Sequence, residues 1–217
     1  MRKAVSAALF VDCRCTLGEG ILWWQQRRAL LWTDIERSVL WMHGVDGHHT
    51  SMWTLPDRLG SLAICESGRL VLGLAKGLFY GDFTRARDNV LHVEEIVAVD
   101  SHLSRHRIND GRTDRSGNFV FGTMNEAQDA ATGSFYQFSA AHGLRRLDLG
   151  GVIIPNSICF SLNCAIEKMI KQHFIFRKMF PDIQNVIFKF LLVDHDLHAL
   201  SAQNIGRSYK QRKTYCF

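Results

Sequence analysis

Apolar residues along the first 150 or so positions come in short runs, each closed by Gly, Asp or Asn. Ile21–Trp24, Ala29–Asp34, Val39–His43 and Thr50–Trp53 form one set of four. Ser61–Cys65, Arg69–Gly73, Gly77–Asp82 and Val90–Glu94 form a second. Ile108–Thr113, Asn118–Met124, Ser134–Phe138 and Leu144–Leu149 form a third. Runs of this length between turn residues predict strands, and no stretch here carries the 3.6-residue period of a helix. Val45-Asp46-Gly47 is a tight-turn signal, because Asp and Gly tolerate positive φ. Ser67-Gly68 and Ser116-Gly117 each follow the first strand of a set and lie 49 residues apart. Four short strands repeating every 40 to 50 residues predict a β-propeller. A β-sandwich would explain the alternation but not the recurring strand, Ser-Gly, strand unit. Gly151–Ser161 resembles the first strand of a fourth blade, and Ala4–Val11 reads as an opening strand.

Past Ser161 the pattern stops. Ala165–Lys178 suggests a weakly amphipathic helix, Val186–Val193 a strand and Ser208–Lys213 a loose basic end. The composition changes at the same place. Residues 1–162 hold 17 basic and 17 acidic side chains, whereas 163–217 hold nine and four, which supplies the whole net charge of +5. Only Lys3 and Lys76 are lysines before residue 163, against six after it, and only Gly206 of the 17 glycines lies in the tail. Folding does not demand a switch between arginine and lysine. The expectation is therefore two segments, residues 1–161 and an unrelated tail 162–217 of different coding origin, such as a frameshift near Ser161. Resequencing the gene across that point tests it.

A neutral body with a basic tail is not a basic binding face, so nucleic acid is not an expected partner. No apolar run approaches the ~18 residues of a membrane span, and Met1-Arg2-Lys3 with Ala4–Val11 is too short for a secretory signal. None of the six cysteines makes a CxxC pair. They read as reduced thiols in a cytoplasmic protein.

The polar residues that packing does not explain come at the start of strands. Leu17-Gly18-Glu19-Gly20 precedes the first blade. Arg107-Ile108-Asn109-Asp110-Gly111 opens the third, and Pro155-Asn156-Ser157-Ile158 follows it. Buried polar groups without partners cost free energy, so carboxylate and amide oxygens recurring at inner strand ends suggest a hard cation such as Ca²⁺.

LGEG-x-LW, R-x-NDG-x-x-D-x-x-G-x-F-x-x-GTM and IPNSICFS, in this order, resemble the motifs of SMP-30/gluconolactonase/LRE-like (regucalcin-like) proteins. The resemblance covers residues 1–161 and implies an all-β fold, a partial six-bladed propeller of about three blades plus one strand. It implies metal-dependent hydrolysis of a sugar lactone, of the gluconolactonase or arabinonolactonase kind. Glu19 and Asn156 would be metal ligands, and Arg107, Asn109 and Glu126 would contact substrate. The metal would be Ca²⁺, with Mn²⁺ or Zn²⁺ as alternatives; oxygen ligands favour Ca²⁺ or Mn²⁺ over zinc. Ser157 stands where many members have glycine. The family's third ligand, an aspartate that also serves as general base, has no counterpart: Asp194-His195-Asp196 is the acidic cluster of the tail, and its flanks do not match. The catalytic base is therefore unassigned, and activity is expected to be impaired by truncation. An inactive remnant and a calcium-binding protein without turnover are the alternative readings.

Other candidates have plainer explanations. His102 and His106 are four apart in a loop-like segment, which suits solvent better than zinc. The five tryptophans, all between Trp23 and Trp53, suit packing between blades. His48-His49 follow a turn, and Gly73-x-x-x-Gly77 lacks the GK[ST] of a phosphate loop.

Overall fold

The computed structural model describes residues 9–160. Residues 4–8 of the opening strand and all the tail elements, Asp194-His195-Asp196 included, lie outside them.

Among the described residues twelve strands form three consecutive four-stranded antiparallel meanders, the blades of a propeller-like fold. The first is β1 (Gly18–Trp24), β2 (Ala29–Asp34), β3 (Val39–Gly44) and β4 (His49–Thr54). The second is β5 (Leu59–Ile64), β6 (Leu70–Leu74), β7 (Gly77–Arg87) and β8 (Val90–Ala98). The third is β9 (His106–Thr113), β10 (Phe119–Asn125), β11 (Gly133–Ser139) and β12 (Gly143–Val152). Each of the twelve runs in the three predicted sets overlaps its expected strand, with Cys65, Arg69 and Asn118 falling one residue outside. The first two blades touch at their outer edges through a single parallel pair, Thr54 with Val90.

The turns show why the repeat is visible. Gly68 (φ 83°) and Gly117 (φ 84°) occupy the left-handed region that glycine takes most cheaply. Their N–H groups donate to Cys65 O at 3.0 Å and Asp114 O at 3.2 Å, so the same turn is built 49 residues apart. At Val45-Asp46-Gly47 the expectation needs correcting. The connection closes on Gly44↔His49, and its left-handed residue is His48 (φ 48°), not Asp46 or Gly47. A four-residue loop places the αL residue last. Strands β7 and β8 run longer than expected, joined at Arg87↔Val90 by Asp88 and Asn89, both at positive φ as a two-residue hairpin turn requires. In the run Phe83–Arg87, Thr84, Arg85 and Arg87 are exposed, whereas Phe83 and Ala86 pack against the cluster between the first two blades.

Two more expectations change. Leu9–Val11 is not a strand, and Leu9 and Phe10 are exposed. The proposed fourth-blade strand Gly151–Ser161 is the end of β12 followed by non-strand chain over 153–160. A strand exists only as one side of a ladder, and no described segment is paired to 153–160.

Blade 2 is buried on both faces. Along β6, Leu70, Leu72 and Leu74 face a cluster with Trp24, Leu31, Leu40, Leu62 and Leu91. Val71 faces the other way, into a cluster with Leu78, Ile108, Phe119, Phe121 and Phe138. This is the period-2 alternation of a strand sandwiched between two layers. Each fully buried leucine contributes roughly 1.5–3 kcal/mol. Of the tryptophans, Trp24 and Trp53 pack between blades, both against Phe83. Trp32 and Trp41 instead stack on each other within blade 1, rings parallel within 3°.

Candidate functional site

The innermost strand of each blade carries a one-residue bulge near its start. In β1 the pairs Glu19↔Thr33 and Leu22↔Leu31 leave Gly20 and Ile21 opposite Trp32 alone, with Gly20 at φ 64°. In β5 the extra residue is Gly60, between Leu59↔Leu74 and Ser61↔Gly73. In β9 Asn109 and Asp110 together oppose Gly122. A bulge breaks the alternation of side chains and re-aims them, so Glu19, Asn109 and Asp110 all stand at or beside such breaks. The inner strands press together here. A Cβ on Gly60 would lie 2.3 Å from Ile108 O and 2.6 Å from Asn109 O. A Cβ on Gly122 would lie 2.5 Å from the Pro155 ring, so that glycine seats the segment carrying Asn156.

Three of the five expected site residues meet in one hydrogen-bonded chain, and a fourth, Glu126, joins it by an ion pair. Arg107 Nη1 donates to Asn109 Oδ1 at 2.8 Å and to Ile108 O at 3.0 Å. Asn109 Nδ2 donates to Asn156 Oδ1 at 3.0 Å and to Pro155 O at 2.9 Å. Glu126 Oε1 lies 3.4 Å from Arg107 Nε. That Nε is buried and makes no hydrogen bond. Glu19, the fifth, is half-buried and lies in the fields of both Asp110 and Arg107.

Two residues that the sequence reading did not assign belong to this site. Arg58 grips Glu126 with two N–H groups, Nη1 to Oε1 at 2.5 Å and Nη2 to Oε2 at 3.1 Å. The signal for Arg58 was present: it precedes Arg107 by the same 49 residues that separate the Ser-Gly turns. Asp110 lay inside a quoted motif. Its Oδ1 accepts Gly111 N at 2.8 Å and its Oδ2 accepts Ser157 N at 2.6 Å. Ser157 holds φ 58°, a conformation glycine adopts at less cost, which accounts for glycine being common there. His106 is corrected: it is buried at the start of β9, with Nε2 2.9 Å from Thr132 Oγ1, not in a solvated loop.

Burial pushes the Glu19 carboxyl up, the Asp110 charge pushes it further, and Arg107 opposes both. Burial also pushes Asp110 up, against the N–H groups of Ser157, Gly111 and Ile158. A hard cation would relieve the repulsion between these two carboxylates, and their oxygens with the amide oxygen of Asn156 are donors of the right chemistry for one. Glu126 differs. The Arg58 hydrogen bonds hold its carboxyl below the usual range. Burial lowers the proton affinity of the Arg107 guanidinium, and the Glu126 charge opposes the shift. Among the described residues no group of three or more His, Cys, Asp or Glu could hold a metal by itself, and no helix is long and apolar enough to cross a membrane.

Successive four-stranded blades, with a carboxylate at the inner bulge of the first and amide, carboxylate and guanidinium groups at or beside that of the third, define a propeller-type domain with a polar site between the inner strands. The chain belongs to the SMP-30/gluconolactonase/LRE-like family, whose model matches residues 17–165. It is 41% identical over 169 residues to L-arabinolactonase of Azospirillum brasilense, a match covering 74% of this chain and 53% of that protein. It is 29% identical over 147 residues to 6-deoxy-6-sulfogluconolactonase of Pseudomonas putida, covering 67% and 48%. The solved regucalcin of Agrobacterium tumefaciens strain C58, described as a calcium-binding protein, superposes with a TM-score of 0.65 at 26% identity, covering 73% of this chain and 52% of that one. The chain thus spans about half the length of the curated relatives it matches.

Proposed function

We propose that this chain carries the substrate-positioning part of a metal-dependent sugar-lactone hydrolase site, with an arabinono- or gluconolactone as substrate. The observation that carries the reading is the buried Arg107 guanidinium. Its Nη1 is spent on Asn109 and Ile108, and its Nε makes no hydrogen bond, with only the Glu126 carboxylate 3.4 Å away. A buried donor whose hydrogen bond is unmade is costly unless a ligand completes it. A lactone carbonyl or ring hydroxyl is an acceptor of the right chemistry. The names of the lactonase relatives support the substrate class.

Arg107 and Asn109 orient the ring, and their mutual hydrogen bond fixes both before substrate arrives, which cuts the ordering cost of reaction. Glu126, held ionised by Arg58, accepts from a sugar hydroxyl. Glu19 and Asn156 would hold the divalent cation, Ca²⁺ ahead of Mn²⁺ and Zn²⁺. That ion would polarise the lactone carbonyl. The proton-accepting carboxylate is assigned to none of the described residues. Glu19 is given to the metal, Glu126 is engaged by Arg58, and Asp110 is engaged by backbone N–H groups. Turnover is accordingly expected to be weak. The same reading keeps residues 162–217 apart from the propeller, as a segment of different coding origin. It also takes the setting as cytoplasmic, where cysteines stay reduced.

The test is proton release from glucono- and L-arabinonolactone by the purified chain, with and without Ca²⁺ or Mn²⁺, beside Glu19→Ala. Metal-dependent turnover that the variant lacks is expected. Folded protein with no turnover above the variant would overturn the catalytic reading, and saturable Ca²⁺ binding alongside that result would leave a calcium-binding protein.

A further inference from the structure

Independently of the lactone site, two cysteines meet where the chain enters the first blade. We propose that Cys13 and Cys15 form a reversible dithiol–disulfide pair, closed by two-electron oxidation with a peroxide. Their Sγ atoms are 3.4 Å apart, and both residues are half-exposed, within reach of a small oxidant. Sequence spacing alone does not place them so. Residues two apart in extended chain sit about 7 Å apart along one face. Arg14 between them takes φ 47°, the left-handed region that a residue with a side chain rarely adopts, and this kink swings the two thiols together.

The backbone just beyond is fixed. The buried Asp34 carboxylate accepts Thr16 N at 2.9 Å and Leu17 N at 3.0 Å. Gly18 packs so closely on Cys15 that a Cβ there would lie 3.1 Å from Cys15 Cβ. The pair is therefore presented on an anchored segment, four residues ahead of Glu19.

Burial, with the Cys13 sulfur beside it, pushes the Cys15 thiol up to about 12. Cys15 thus keeps its proton until it acts as the resolving thiol. Hydrogen peroxide converts the Cys13 thiol to a sulfenic acid, its O–O bond breaking and one water leaving. Cys15 Sγ then attacks the Cys13 sulfur. The S–O bond breaks, and the hydroxyl leaves as a second water with the Cys15 proton. Two thiols have lost two protons and two electrons, and one peroxide has become two waters. A thiol reductant reopens the bond by exchange.

The experiment treats the full chain with hydrogen peroxide, caps the remaining thiols by alkylation and digests with trypsin without reduction. Cleavage after Arg14 separates the two cysteines, so a bridge is read directly. The expected result is peptide 4–14 joined to peptide 15–27, or an uncut 4–27 lighter by two hydrogens, either reverting on reduction. Cys13→Ser, with an unchanged circular dichroism spectrum, should leave Cys15 alkylated. Recovery of both cysteines alkylated after oxidation, their irreversible conversion to sulfinic acid, or a bridge from either to Cys65, Cys159, Cys164 or Cys216 would overturn the proposal.

Discussion

The first two strands of blades 2 and 3 match at an offset of 49 residues. Each inner strand follows an arginine or contains one, Arg58 or Arg107; each bulges; and each leads to the same Gly turn. They differ at the bulge itself. Blade 2 has Gly60 and Ser61 where blade 3 has Asn109 and Asp110. The two choices are linked, since Gly60 leaves the space that the Ile108 and Asn109 carbonyls occupy. A repeated scaffold has thus been divided between a blade that makes room and a blade that carries polar groups, with both arginines meeting on Glu126.

The division of roles can be attacked first at Gly60. A Cβ there meets backbone, which cannot swing aside as a side chain would, so Gly60→Ala should cost about 3 kcal/mol of stability. Urea unfolding checks it, and an unchanged midpoint would mean the inner strands do not press together. Next comes the turn that the two blades share. In blade 3 the buried Asp114 carboxylate accepts Ser116 N, Asn118 N, Asn118 Nδ2 and Gln137 Nε2, all within 3.0 Å. Asp114→Ala strands these donors and should cost about 2 kcal/mol, again by denaturant unfolding.

The arginine pair gives a smaller, pH-resolved effect. Glu126 is held down by Arg58, so its contribution to stability is present above the ordinary carboxylate range and is lost as pH falls through its lowered value. Carboxyl-carbon NMR should find Glu126 titrating below the ordinary range in the native chain and moving up towards it in Arg58→Gln. An unmoved titration would mean that Arg107 alone sets it. Smallest is Ser157→Gly, which removes a side chain from the left-handed region and should raise stability by up to about 1 kcal/mol in a thermal melt.

Much of this was legible in the sequence because strand length and turn residues are local properties. The Ser-Gly turns marked the repeat, and the runs between them fell into the observed strands. Contacts across blades were less legible. Arg58 sits in no motif, and only the repeat offset could have brought it to Glu126. Asp110 was visible but unassigned, because its partners, the N–H groups of Ser157 and Ile158, come from chain nearly 50 residues on. Gly151–Ser161 read as a strand from its composition, yet a strand needs a partner that composition does not supply. At Asp46-Gly47 the residue types pointed to a turn, but loop length decided which residue took positive φ.

The central claim is the proposed cation site, in which Glu19 at the inner bulge of blade 1 and Asn156, hydrogen-bonded to Asn109 of blade 3, would share a divalent cation. The direct measurement is calorimetric titration of Ca²⁺ into the chain, into Glu19→Ala, and into Asn156→Ala. The account predicts saturable binding, weak and of the order of 10⁻⁴ M or above for so few protein ligands, that is lost in both folded variants. Binding of equal strength in all three would contradict it.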